Sequence, residues 1–182
     1  MRCRRETVEM NEINEQINGK AKELVEICKD KKVTVGFAES LTGGLISASV
    51  VNIPGASAVF KGSVVSYTNE IKENVLGVPS EIISEHTEVS EECALAMAKG
   101  GANVLGCDLV VSVTGIAGPT GALPGKPVGT VFMGYCYEAP DTFGDYTGAL
   151  RLNFEGDRDT IRSYTVLSAL DLAVRLVKEG KA

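Results

Sequence analysis

The sequence predicts an α/β fold, namely a three-layer α/β/α sandwich with a central sheet that is largely parallel or mixed. Helical and strand patterns alternate along the chain, and two of the apolar runs end in glycine-rich loops. The 182 residues include 44% hydrophobic and 23% charged side chains, which is an ordinary globular composition. Since neither a repeat nor a linker interrupts the pattern, we expect residues 1–182 to form a single domain.

The individual elements follow from the spacing of the apolar residues. Residues 1–12 are polar and charged, so we expect a loosely ordered lead-in there. Apolar side chains then recur at helical spacing over about 12–30, and the run at 33–38 predicts a short buried strand. The remaining elements are expected in this order: a helix at 44–51, extended chain at 58–67, helices at about 69–75, 79–85 and 90–105, strands at 109–113, 128–137 and 147–154, and a last helix capped by Asp157.

The composition argues against several classes of partner. The net charge is −6 and no basic run carries interleaved aromatic residues, so we expect no nucleic-acid partner. No apolar run approaches the length of a membrane span and no secretory signal begins the chain, which predicts a cytoplasmic protein without a membrane partner. The five cysteines are odd in number and widely spaced, as suits reduced thiols in a cytosol.

Metal chemistry has little support in the sequence. The chain contains one histidine, His86, and no C-x-x-C pair. The run His86-Thr87-Glu88 matches half of a zinc deaminase signature, but the cysteine half of that signature is missing. We therefore expect neither a metal nor a cofactor.

The segment Ala38-Glu39-Ser40-Leu41-Thr42-Gly43-Gly44 connects the first predicted strand to the next helix. Open α/β sheets place ligands at such strand-to-helix turns. Ser40 offers a hydroxyl group, and the N–H groups of the turn are suited to an anion or a developing oxyanion. The commoner explanation of a serine followed by two glycines is a helix cap and a simple turn. These residues alone leave both interpretations open.

A second glycine-rich loop, residues 114–121, follows the apolar run at 109–113. If the two strands are parallel neighbours, both loops lie at the same edge of the sheet and share a cleft. Neither loop is a Walker loop or a G-x-G-x-x-G motif, and residues 36–44 do not form a G-x-S-x-G elbow. A nucleotide triphosphatase or a hydrolase with the usual triad is therefore unsupported.

A serine nucleophile needs a proton acceptor. A lysine can accept the proton when burial lowers its pKa, and a tyrosine can relay it. Tyr67 and Lys72 follow the predicted extended segment five residues apart, and Lys61 is another candidate. The competing interpretation is that each lysine is a solvated surface charge and that the tyrosine is half-buried packing.

Several further motifs occur in an order that is typical of one family. With the first loop, the motifs are Ala38-Glu39-Ser40-x-Thr42-Gly43-Gly44, Pro54-Gly55-Ala56-Ser57 with Val59-Phe60, Val65-Ser66-Tyr67-Thr68-Asn69-Glu70-x-Lys72, Leu76-Gly77-Val78, Val89-Ser90-Glu91-Glu92, Thr114-Gly115-Ile116-Ala117-Gly118-Pro119, Lys126-Pro127-Val128-Gly129-Thr130-Val131 and Gly156-Asp157-Arg158. Together they cover about residues 15–178, and they resemble the C-terminal domain family of the competence/damage-inducible protein CinA.

The resemblance implies an activity as well as a fold. Family members with this activity are nicotinamide-nucleotide amidases, which hydrolyse nicotinamide mononucleotide to nicotinic acid mononucleotide and ammonia without a metal, in pyridine nucleotide recycling. By resemblance, Ser40 is the nucleophile, Tyr67 and Lys72 assist it, and the protein forms a homodimer. The residues then expected to contact the substrate are Glu39, Thr42, Gly43, Gly44, Ser57, Asn69, Thr114, Gly115, Ala117 and Gly118.

The sequence departs from the family pattern in places. Leu41 replaces a common cysteine, Thr87-Glu88 replaces a common Gly-Ala pair, and Ala56-Ser57 stands where two serines are common. The loop 120–125 also lacks the usual glycine run and acid. A non-catalytic or differently specific pyridine-nucleotide-binding module therefore stays open as an alternative to the amidase. The sequence corresponds to the C-terminal domain of longer members, so we expect a stand-alone form.

Overall fold

A mixed five-stranded sheet forms the centre of the computed structural model, which describes residues 2–138 and 146–179. Its strands are β1 (Val35–Glu39), β2 (Phe60–Val65), β3 (Leu109–Gly115), β4 (Thr130–Tyr137) and β5 (Tyr146–Asn153). They lie in the order β2-β1-β3-β4-β5. The first three are parallel, whereas β4 pairs antiparallel with β3 and β5 pairs antiparallel with β4. The predicted α/β fold with a mixed sheet is confirmed, and the strand bounds agree with the predicted ones to within two residues.

Helices cover both faces of this sheet. Those in the described part of the chain are α1 (Arg2–Lys31), α2 (Leu45–Val51), α3 (Asn69–Leu76), α4 (Ser80–His86), α5 (Glu91–Leu105) and α6 (Arg158–Glu179), with a 3-10 turn at Ala56–Ala58 before β2. Alternation along β3 separates two cores, because Val111 belongs to the core shared with α1, α2 and α6, whereas Val110 belongs to the core shared with α3 and α5. This arrangement gives the three expected layers.

The first helix is longer than the sequence pattern predicts. We expected a loosely ordered lead-in over 1–12, but α1 already begins at Arg2. Apolar periodicity starts only at Ile13, the first of the described α1 side chains that reach the core. The pattern therefore marks the buried part of the helix. A helix continues beyond that part where the residues favour it, because each added residue gains a hydrogen bond at little further cost.

The strand pairing brings the ends of β1 and β3 to one edge of the sheet. Glu39, the last residue of β1, pairs with Val113 near the end of β3. The two glycine-rich loops therefore leave the sheet side by side, as predicted.

Two of the helix ends have local capping residues. Gly77 ends α3 with a φ of 65°, and Ser90 caps the start of α5 by accepting a hydrogen bond from the Cys93 N–H at 3.1 Å.

Candidate active site

Ser40 occupies the turn between β1 and α2. Its N–H donates to the carbonyl of Val113 in the neighbouring strand at 3.0 Å, so the edge of the sheet fixes its position. The helix-cap interpretation of Ser40 is wrong, because α2 begins at Leu45 with Gly44 as the preceding residue. The Ser40 hydroxyl instead accepts a hydrogen bond from Nζ of Lys72 at 3.0 Å. Only 8% of the residue is exposed.

Lys72 is a buried lysine in α3. It is 1% exposed, and besides Ser40 its Nζ donates to the carbonyl of Ser66 at 2.9 Å. Burial lowers the pKa of Lys72 below its ordinary value of 10.5, and the neighbouring Cys93 and Glu88 oppose this effect. The amine is thus held against the serine hydroxyl in surroundings that favour its neutral, proton-accepting form. The surface-charge interpretation of this lysine is wrong.

Glu39 does not face the cleft. It is fully buried, and its Oε2 accepts from the Thr42 hydroxyl at 2.8 Å and from the N–H groups of Gly44 and Ile46 at 2.9 and 3.2 Å. Its Oε1 accepts from both the N–H and the hydroxyl of Ser47. Glu39 therefore neutralises the start of α2 from within.

This internal carboxylate corrects two expectations about the first loop. The N–H groups of Gly44, Ile46 and Ser47 are not available to bind an anion, because they already donate hydrogen bonds to Glu39. Glu39 and Thr42 are also fully buried, so the structure does not place them where a substrate would touch them. Gly43 and Gly44 adopt φ values of 62° and 99°, which explains the glycines by the shape of the turn.

Tyr67 lines the cleft but does not contact the serine–lysine pair. It is 60% exposed, and its hydroxyl accepts a hydrogen bond from the guanidinium of Arg158 at 3.2 Å. Within the described residues, no hydrogen bond joins it to Ser40 or Lys72. The expected proton relay through Tyr67 is therefore not assembled in this structure.

Arg158 forms the other side of the cleft at the start of α6. Besides Tyr67, it donates to the carbonyl of Gly118 at 2.7 Å, so it ties the second glycine-rich loop to α6. Arg158 belongs to the motif Gly156-Asp157-Arg158, but the sequence alone did not predict a role for it in the site. An arginine after a glycine and an aspartate at a helix start was the available signal.

The cleft has a volume of about 390 Å3, within the range of small-molecule sites. Sixteen described residues line it, of which eight were predicted site residues and eight were not. The predicted ones are Ser40, Tyr67, Asn69, Lys72, Thr114, Gly115, Ala117 and Gly118; the others are Leu41, Thr68, Glu88, Val89, Ile116, Thr120, Gly121 and Arg158.

Ser57 lies at the opposite edge of the sheet. It is an exposed residue of the 3-10 turn Ala56–Ala58, which precedes β2. Because Phe60 at the start of β2 pairs with Val35 at the start of β1, this turn lies at the amino ends of the strands. The structure therefore does not bring Ser57 into the cleft of the same chain. Gly43 and Gly44 also lie outside the cleft lining.

A second cavity, of about 550 Å3, lies between α1, α6 and the last two strands. Apolar side chains such as Leu150 and Leu167 form much of its wall. Its charged groups neutralise each other, since Lys20 pairs with Asp171 at 2.9 Å. It offers no buried nucleophile with a neighbouring base, so the chemistry favours the smaller cleft.

Two absences are recorded for the described ranges 2–138 and 146–179. No group of three or more histidine, cysteine, aspartate or glutamate side chains is arranged there to hold a metal ion. No helix in those ranges has the length and apolarity that a membrane crossing needs. His86 instead lies 3.5 Å from the carboxylate of Glu92.

The fold and the site together define an α/β protein with a buried serine–lysine pair at the carboxyl edge of its sheet. A family model for the CinA C-terminal domain matches residues 17–177, and the chain belongs to this family. The CinA-like protein of Thermotoga maritima is 46% identical over 148 residues, which are 81% of this chain and 35% of the relative. The CinA-like protein of Dictyoglomus thermophilum is 47% identical over 152 residues, which are 84% of this chain and 36% of the relative. The chain thus spans about a third of the length of these curated relatives.

Solved structures of the same family share the fold. The competence/damage inducible protein CihA from Agrobacterium tumefaciens is 34% identical, with a TM-score of 0.79 over 88% of this chain and 95% of that one. The competence damage-inducible protein A (ComA) from Klebsiella pneumoniae subsp. pneumoniae is 29% identical, with a TM-score of 0.83 over 90% of this chain and 98% of that one. The structural neighbours therefore cover nearly the whole of the domain.

Proposed function

We propose that this protein is a nicotinamide-nucleotide amidase, which hydrolyses the carboxamide of nicotinamide mononucleotide to nicotinic acid mononucleotide and ammonia. The observation that carries the proposal is the 3.0 Å contact between Nζ of Lys72 and Oγ of Ser40, made by a lysine that is 1% exposed. A nucleophile and a base within hydrogen-bond reach are what covalent catalysis of amide hydrolysis requires.

In the first half of the reaction, Ser40 attacks the carboxamide. Its hydroxyl gives its proton to neutral Lys72 while Oγ bonds to the carbonyl carbon. The charged Lys72 then returns the proton to the amide nitrogen, the C–N bond breaks and ammonia leaves. The burial that lowers the pKa of Lys72 increases the fraction of neutral amine at a given pH.

In the second half, water replaces ammonia. Lys72 takes a proton from water as its oxygen bonds to the acyl carbon, and Oγ of Ser40 recovers that proton when the acid leaves. Leu41 lines the cleft directly after the nucleophile, and its N–H has no acceptor among the described residues. We assign this N–H to the oxyanion of both tetrahedral intermediates, because the residue after the nucleophile often supplies that donor.

The rest of the cleft suits a mononucleotide. Arg158 presents an exposed guanidinium beside Tyr67 and Gly118, which fits the phosphate group. Asn69 and Thr120 also line the cleft and offer polar side chains for the ribose hydroxyls. Tyr67 on this account contacts the bound nucleotide and is not the base.

The proposal is tested by incubating the purified protein with nicotinamide mononucleotide. Ammonia and nicotinic acid mononucleotide are expected to appear in equal amounts, and the activity is expected to survive exhaustive treatment with a chelator. Binding of the nucleotide without any release of ammonia would favour the non-catalytic binding module. An activity that disappears with the chelator and returns with zinc or magnesium would contradict the serine mechanism.

A further inference from the structure

Charge is unevenly distributed in the cleft. Of the described residues that line it, Lys72 and Arg158 have cationic side chains, and Glu88 has the one carboxylate. Glu88 is half-buried in the segment before α5, and its carbonyl accepts a hydrogen bond from the Thr114 hydroxyl at 2.7 Å. The hydrogen bond ties the Glu88 backbone to the end of β3, so this residue is positioned by the sheet edge that also positions Ser40.

Glu88 lies at the end of the cleft where the proposed chemistry occurs, because its carbonyl binds Thr114 and the residue before Thr114, Val113, binds the N–H of Ser40. Its charge acts on Lys72, whose pKa it raises against the effect of burial. Arg158, by contrast, is held against Tyr67 and Gly118. The Glu88 carboxylate therefore lies toward the Ser40–Lys72 pair, and the Arg158 guanidinium lies toward Tyr67 and Gly118.

We propose that the Glu88 carboxylate is a specificity-determining group that binds the positively charged pyridinium ring of the substrate. This inference rests on the proposed function. The mononucleotide of a pyridine carboxamide has a cationic ring next to its reacting group and a phosphate at its far end. Its charges match the order of Glu88 and Arg158 along the cleft. The dihydro form of the same nucleotide has a neutral ring, so it gains nothing from this carboxylate.

The alternative role for Glu88 is to raise the pKa of Lys72 without binding the substrate ring. Lys72 is faced by Ser40 from the turn after β1, by the Ser66 carbonyl after β2, by Cys93 from α5 and by Glu88. Burial raises the pKa of Cys93 to about 11, so its thiol is neutral near pH 7 and Glu88 supplies the negative charge. A tuning role alone would alter the pH dependence of turnover without any preference between the two ring forms.

The experiment separates the two roles by measuring binding without turnover. In a Ser40→Ala background, which retains the cleft but cannot form the acyl intermediate, calorimetry gives the Kd of the oxidised nucleotide and of its dihydro form. We expect the oxidised form to bind up to about fivefold more tightly, which corresponds to the upper end of the range for one partly exposed charge pair. Adding Glu88→Gln is expected to bring the two Kd values together, and Glu88→Asp is expected to retain part of the preference.

The matched control is Glu91→Gln, an exposed glutamate three residues further along that does not line the cleft. It should leave both Kd values unchanged. A preference for the oxidised form that survives Glu88→Gln would overturn the inference, and so would equal binding of both forms before the change. If the Ser40→Ala protein binds neither form and the unchanged protein releases no ammonia, the proposed function itself fails. Thermal melting of each variant establishes that it is folded, and Glu88→Asp retains the test if Glu88→Gln does not fold.

Discussion

The two loops at the carboxyl ends of β1 and β3 both contain glycines, but their residues are used in different ways. At the first loop, residues 40–44, the polar groups around the turn bind each other, because Glu39 accepts from Thr42, Gly44, Ile46 and Ser47. In the second, residues 114–121, most residues line the cleft. The first loop is a rigid support that presents Ser40, and the second is a wall against which a substrate can lie.

The difference shows that glycines by themselves do not mark a binding loop. Gly43 and Gly44 shape a turn whose N–H groups are already occupied. Gly118 shapes the cleft wall, where it has a φ of 77° and a Cβ atom would lie 2.6 Å from the Val128 side chain. What separates the loops is where each one's hydrogen-bond donors and acceptors find partners.

The largest expected effect belongs to the residue that the first loop presents. Ser40→Ala removes one oxygen atom and is expected to lower kcat by about 1000-fold or more, because nothing near it replaces a covalent nucleophile. Ammonia release under saturating substrate measures the change. The thermal midpoint should stay close to that of the unchanged protein, and near-normal turnover would favour direct attack by water.

The next largest effect is expected at Lys72, the proposed base, which contacts Ser40 from α3. Lys72→Arg keeps a positive charge but cannot lose its proton in the working range, so kcat is expected to fall at least 100-fold. Lys72→Ala should be no better. Lys61→Ala is the matched control, since Lys61 is exposed on β2, and it should retain most of the activity. Normal turnover by Lys72→Arg would leave Lys72 as a source of charge only.

The support role of the first loop is tested at Glu39. Glu39→Ala leaves the N–H groups at the start of α2 without their acceptor, so the free energy of unfolding should fall by about 3 kcal/mol or more. Glu39→Gln keeps one carbonyl oxygen and should lose less. Denaturant unfolding measures both. If Glu39→Ala unfolds like the unchanged protein, the first loop does not depend on its internal carboxylate, and the contrast between the loops disappears.

The smallest effect is expected in the second loop. Thr120 is exposed and lines the cleft, so Thr120→Ala should raise KM by roughly threefold, the worth of one weak hydrogen bond, without changing the free energy of unfolding. Steady-state kinetics and the same unfolding assay measure the two quantities. A loss of stability with no change in KM would make the second loop a support like the first.

Much of the fold could be predicted because its signals are local and periodic. The buried strands at β1 and β3 are continuous apolar runs, and Gly77, Ser90 and Gly106 mark the ends of helices through their backbone chemistry. The predicted start of α1 was wrong, because polar residues can extend a helix without contributing to its apolar pattern.

The site was harder to predict because its groups meet only in three dimensions. Lys72 could be named as a candidate, but its burial depends on how α3 folds back over the end of β1. Glu39 was expected to contact the substrate from the family resemblance, but it is fully buried and accepts hydrogen bonds from the turn that follows it. Arg158 and Glu88 come from segments far from Ser40 in the sequence, and their shared cleft is a result of the sheet order β2-β1-β3.

The most direct test of the serine–lysine account is the pH dependence of kcat/KM. Only neutral Lys72 accepts the proton of Ser40, so the rate should rise with pH along a limb whose midpoint lies below the ordinary lysine value of 10.5. The rate should fall as the pH drops through that lowered pKa, and the residual activity of Lys72→Arg should lack the limb. A limb that persists unchanged in Lys72→Arg would contradict the account, because another group would then be the base.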